Sequence, residues 1–199
     1  CFTIIGLLIF YSSKSQSQII QVQKIISELY VNQICSRSYR VLEDDLPVKV
    51  LSKYNSFNKD NFSYEEWILL CREGRWVGYV SENILKDISV QNWDKKFLYD
   101  FLRPIDELPS IGERESLFNA IINIEKTKNA RLLVLSVAGL PIGTLDRVDI
   151  GRAVIKKIGL NIPDQLLKIA RKENIYPFGL NLHNIAKSMI NSNREDNQK

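Results

Sequence analysis

The chain has 199 residues, of which 45% are hydrophobic and 25% charged, with a formal net charge of +4. That is enough globular material for one or two small domains. Lys and Arg are interspersed with nearly as many acids, which argues against a nucleic-acid footprint. Cys1, Cys35 and Cys71 are too far apart for a CxxC pair, and so read as reduced thiols and not as a disulfide framework or zinc site.

The first eleven residues, Cys1 to Tyr11, carry no charge. A membrane span needs roughly 20 apolar residues. Residues 1–14 are therefore expected to be the end of a transmembrane helix that starts upstream, with Tyr11 at headgroup level and Ser12 to Lys14 in water. The other reading is a buried first element of a soluble domain. Lys14, Lys24, Arg37 and Arg40 against Glu28 make the following stretch positive, which points to the cytoplasmic side. Over Ser17 to Ile34, apolar residues at Ile19, Val22, Ile26 and Leu29 recur with helical spacing. Residues 15–37 thus form a juxtamembrane helix, expected to pack on its neighbours, because a membrane-surface helix usually carries more Lys and Arg.

Residues 38–95 read as a first unit. A strand at Tyr39–Leu42 is followed by Asp44 and Asp45 as N-cap candidates for a helix through Leu46, Val50 and Leu51. A hairpin then joins Trp67–Cys71 to Trp76–Ser81 through Gly74, and a short helix carries Ile84, Leu85 and Ile88. Residues 96–160 repeat the order: a helix over 113–126, strands at Leu132–Leu135 and Pro141–Leu145 around Gly139, and a helix over 147–158. Gly78 and Gly143 occupy equivalent places in the two hairpins, the mark of an internal repeat. A helical tail occupies 161–190, broken at Tyr176-Pro177-Phe178-Gly179, and the polar end 191–199 reads as disordered.

The segment Leu132 to Ile150, with Gly139, Gly143, Thr144, Asp146 and Asp149, resembles the second half of a CBS-domain pair. The resemblance implies an α/β (α+β) fold of tandem β-α-β-β-α repeats packed as one disc, over about residues 39–160, with pairing into a homodimer as one assembly. A narrower resemblance links Ser38–Val41 with Leu46-Pro47-Val48, Gly143–Ile150 and Tyr176–Leu180 to the C-terminal region of site-2-protease-like membrane zinc metalloproteases, particularly cyanobacterial ones. It implies a cytoplasmic regulatory or docking module for the catalytic membrane domain of the same protein. The zinc-binding HExxH of that family is absent here, and His183 is the single histidine, so zinc would belong to the parent and the catalytic and metal sets of this chain are empty.

In nucleotide-binding CBS pairs an Asp holds the ribose hydroxyls and a Ser or Thr contacts phosphate, which suits a carboxylate's two acceptors and a hydroxyl's donor. By that resemblance the nucleotide-binding candidates are Ser81, Thr144 and Asp149, split between the repeats. Asp146 stands at the usual hydroxyl position and Ile84 at the usual Asp position, so neither repeat holds a complete motif. A structural account of Asp146 and Asp149 is equally concrete: both lie where a carboxylate caps the helix starting near Arg147. An adenosine-nucleotide sensor serving a transporter or channel is therefore the alternative function.

Overall fold

The computed structural model describes residues 16–57, 67–81, 83–127 and 131–196, and the expected membrane segment at 1–14 lies outside them. Two three-stranded sheets organise the chain. The first contains β1 (Tyr39–Glu43), β2 (Trp67–Arg72) and β3 (Arg75–Val80), and the second β4 (Ser110–Gly112), β5 (Arg131–Leu135) and β6 (Pro141–Asp146). In each sheet the first pair is parallel and the hairpin pair antiparallel. The helices are α1 (residues 16–28), α2 (Val50–Phe57), α3 (Ile84–Asp87), α4 (Leu117–Lys126), α5 (Arg147–Lys157), α6 (Asp164–Lys172) and α7 (Leu182–Asp196). Both repeats thus have the expected β-α-β-β-α order. Among the described residues no helix is long and apolar enough to cross a membrane.

The sequence pattern explains most elements. β5 reads Arg-Leu-Leu-Val-Leu and is buried along nearly its whole length, as a strand covered on both faces should be. Gly74 and Gly139 turn the two hairpins at φ +75° and +74°, a conformation open to glycine without steric cost. Each hairpin also carries a register shift at the same place, Leu70/Cys71 and Val134/Leu135.

The repeats are not separate in space. The segment leading into each first strand crosses to the other sheet. Ser36 bridges Thr144 of β6, with Ser36 N–H to Thr144 O at 2.9 Å and Thr144 N–H to Ser36 O at 2.6 Å. Arg103 bridges Tyr79 of β3 by two bonds of 2.9 Å. Earlier in each segment, Tyr30 bridges Ser116 and Phe97 bridges Pro47. Tyr30 and Phe97 are separated along the chain by the same interval as Ser36 and Arg103, so the exchange is reciprocal.

This crossing corrects several expectations. The expected packing of α1 on its neighbours is borne out, in the second repeat's core, but the helix ends at residue 28, short of 37, because Tyr30 turns extended to reach Ser116. Val22, Ile25, Ile26 and Leu29 pack with Leu117, Ile121 and Ile124 of α4 and Leu182 and Ala186 of α7. Gly78 and Gly143, equivalent in the two hairpins, both face crossing segments: a Cβ would stand 2.3 Å from Arg103 O at Gly78 and 3.0 Å from Ser36 O at Gly143. Asp44 does not cap α2; its buried carboxylate takes Nε of Arg72 at 2.9 Å, and the helix starts at Val50. β4, which follows Pro109 directly, is too short to show a period in the sequence. α7 runs on to Asp196, past Ile190.

A cluster of Leu69, Leu108 and Leu133 joins the two sheets, with Trp67 and Trp76 against it, while Trp93 packs in the first repeat and donates to Ile88 O at 3.0 Å. The contacts at Gly78 give a direct check. Gly78→Ala should destabilise the chain by about 1–3 kcal/mol, since the clash is with backbone, and a thermal melt should read it. Thermal stability equal to the parent's would remove the crossing segment from its place.

Candidate functional site

β6 ends on Asp146, whose extended backbone and carboxylate cap α5: Asp149 N–H donates to Asp146 Oδ1 at 2.7 Å. The capping reading of Asp146 therefore holds. One helical turn on, Asp149 projects into the same cluster, and both carboxylates are almost fully buried. Two buried carboxylates side by side need cations. Arg171 of α6 supplies one, with Nε 2.9 Å from Asp146 Oδ2 and Nη2 3.2 Å from Asp149 Oδ1. Arg152 of α5 donates to Asp149 Oδ1 at 2.8 Å, and Ser36 Oγ–H to Asp149 Oδ2 at 2.9 Å. Burial pushes the Asp149 carboxyl above the usual range, helped by the neighbouring Asp146 charge and opposed by Arg171, Ser36 and Arg152.

The cluster continues along the crossing segment. Ser36 and Ser38 hydroxyls are 3.2 Å apart, and Thr144 Oγ accepts from Ser38 N–H at 3.3 Å. Arg131, buried in β5, donates to Ser38 O at 2.7 Å and lies 5.4 Å from the Trp67 ring centroid, within cation–π range. Hydroxyls, a buried guanidinium, an aromatic face and a carboxylate thus converge where residues 36–38 meet β6. On the far side of α5's first turn, Arg147 pairs with Glu125 at 2.9 Å, and Glu125 accepts from Tyr176 Oη–H at 3.2 Å.

The structure brings two of the three sequence candidates together: Thr144 and Asp149 share Ser36 as a partner. Ser81 follows β3 in the other sheet, where its Oγ accepts from Asn83 N–H at 3.3 Å. Among the described residues no hydrogen bond joins it to Thr144 or Asp149. Ile84, at the usual Asp position, packs on the first repeat's core. Sequence reasoning missed Ser36, Ser38, Arg131, Arg152 and Arg171. The hydroxyls of Ser36 and Ser38 just before β1 were a visible signal. The pairing of Arg171 with Asp146, by contrast, spans two helices and follows only from how α6 packs on α5.

Among the described residues no group of three or more His, Cys, Asp and Glu is arranged to hold a metal ion. The lone His183 has its Nδ1 buried without a hydrogen-bond partner in the structure, at the start of α7, and no acidic or thiol group joins it there as a ligand set. Zinc therefore has no set of donors in this region.

The fold is that of a CBS-domain pair. Among solved structures, the CBS domain of a bacterial CNNM/CorC family Mg2+ transporter matches with TM-score 0.51 and 16% identity, covering 81% of this chain and 98% of that one. The same kind of domain in complex with ATP matches with TM-score 0.52 and 14% identity, covering 71% of this chain and 97% of that one. No family model and no curated protein matches the sequence.

Proposed function

We propose that the chain is a regulatory module of a membrane transport protein, on the cytoplasmic side, that senses an adenosine nucleotide at the Ser36–Thr144–Asp149 cluster. One observation carries this reading. The crossing segment, β5, β6, α5 and α6 gather a diol acceptor (Asp149), hydroxyl groups (Ser36, Ser38, Thr144) and guanidinium groups (Arg131, Arg152, Arg171) into one hydrogen-bonded cluster. The matched transporter domain, in its ATP complex, supports the choice of ligand class. Both carboxylate oxygens of Asp149 already have partners, so a ribose reaches it by displacing one of them, and Arg171, the longest contact at 3.2 Å, is the first to yield.

Calorimetry with AMP, ATP and S-adenosylmethionine tests the proposal. Saturable heat is expected, lost in Asp149→Ala and tightened in Arg171→Met, which removes the competitor. Silence from both the parent chain and Arg171→Met would overturn it and leave a docking role. The resemblance of residues 38–41, 143–150 and 176–180 to site-2-protease-like proteins gives the second reading, a docking module for an intramembrane zinc protease. In that last stretch Tyr176 and Pro177 are buried parts of the fold. An HExxH motif within apolar spans of the same gene product would select the protease over the transport protein.

A further inference from the structure

The positive charge of the chain is concentrated. Residues 151–180 hold six basic residues (Arg152, Lys156, Lys157, Lys168, Arg171 and Lys172) and two acidic ones, Asp164 and Glu173. Removing that window from the totals of 27 and 23 leaves basic and acidic residues in equal number, so the whole +4 excess lies there. Arg152 and Arg171 are paired with Asp149 and Asp146, and the four lysines, Lys156, Lys157, Lys168 and Lys172, are exposed and carry the surface charge.

The same window exposes apolar side chains. α6 buries Leu167 and Ala170 against Val148 of α5. On one flank of that buried stripe, Leu166 and Ile169 remain 41% and 47% exposed, and Lys168 and Lys172 take the other flank at helical spacing. Nearby, Pro177 is seated on α5 so closely that a Cβ at Gly151 would stand 2.4 Å from its ring. The next residue, Phe178, has φ +56° and is 61% exposed. A non-glycine residue in the left-handed region is strained, and here the strain turns an aromatic ring outward from an anchored loop.

We propose that the surface formed by α6 and the 177–179 loop docks on an anionic lipid bilayer. Phe178, Ile169 and Leu166 enter the headgroup boundary, and Lys168, Lys172, Lys156 and Lys157 meet lipid phosphates from their flexible stems. The match of exposed apolar side chains with a concentrated positive field selects an anionic bilayer over an apolar protein groove. This inference stands independently of nucleotide sensing.

Vesicle co-sedimentation of the full chain tests it, with phosphatidylcholine alone against a two-to-one mixture of phosphatidylcholine and phosphatidylglycerol. The read quantity is the gain in partitioning on the anionic vesicles, which discounts any binding by the apolar residues 1–11. Lys168→Gln with Lys172→Gln should cut that gain roughly fivefold per charge, and Ile169→Ser with Phe178→Ser about tenfold or more. Lys95→Gln with Lys96→Gln, the same charge change elsewhere on the surface, should leave it within about threefold; circular dichroism confirms that each variant is folded. Equal partitioning of the patch variants and the parent overturns the proposal. So does a patch variant whose sedimentation mass falls while its lipid gain is unchanged, because the surface is then a contact between copies.

Discussion

Replacing Ile26 with alanine should cost about 2–5 kcal/mol of folding stability. Ile26 is fully buried among Ile121, Ile124 and Leu182, three side chains from α4 and α7. Deleting its methylenes leaves a cavity that helices from three distant parts of the sequence would have to close. Ile20, earlier on the same helix, is 64% exposed, and Ile20→Ala should change stability by no more than about 0.5 kcal/mol. Urea titration followed by circular dichroism measures both. The three tryptophans, Trp67, Trp76 and Trp93, all lie in the first repeat, so fluorescence reports the half of the molecule that Ile26 does not touch. Because Leu69 and Leu133 pack together between the sheets, the fluorescence midpoint should fall with the circular dichroism midpoint. An Ile26→Ala chain as stable as the parent would take α1 out of this core.

That outcome bears on what the sequence could disclose. The hairpins were legible because Gly74 and Gly139 sit between apolar runs of strand length, and the matching places of Gly78 and Gly143 exposed the repeat. The period-3.6 pattern of Val22, Ile26 and Leu29 showed that α1 has a face to bury. It did not show against what, since periodicity carries no address. The exchange of leading segments is written in long-range backbone bridges between residues with no special side chains, such as Ser36 and Arg103. The site was half legible for the same reason. Thr144, Asp146 and Asp149 are local to one strand–helix turn, and their order gave them away. Arg171 reaches them from α6, and its identity as a partner rests on packing of Leu167 and Ala170 on Val148. Gly78 and Gly143 do mark close packing, yet the packed object is a crossing strand whose existence the local sequence does not announce.

The Arg171 contact also sets a pH dependence whose sign can be worked out. Asp149 has a raised carboxyl pKa in the folded chain, caused first by burial and then by Asp146. An acid raised on folding binds more protons in the native state, so stability falls as pH climbs from the unfolded value near 3.8 through the folded one. Above that window the penalty is fully present. Arg171 limits it by favouring the ionised form, so Arg171→Met should push the Asp149 carboxyl higher and extend the loss toward neutral pH. Arg152 and Ser36 would remain bonded to Asp149 while the Asp146 charge stays beside it. The expected loss at pH 7.5 is about 3 kcal/mol, the low end for breaking a buried pair, because the guanidinium is about a third exposed. At pH 4.5, where Asp149 in the variant can hold its proton, the loss should shrink substantially. Adding Asp149→Asn removes one of the two like charges, and the double variant should recover part of the stability at pH 7.5 with a flatter pH profile. Urea midpoints of the parent, Arg171→Met and the double variant at the two pH values decide the matter. A loss in Arg171→Met that is the same at both pH values would mean that Arg171 holds α6 in place by packing alone and does not hold the charge of Asp149.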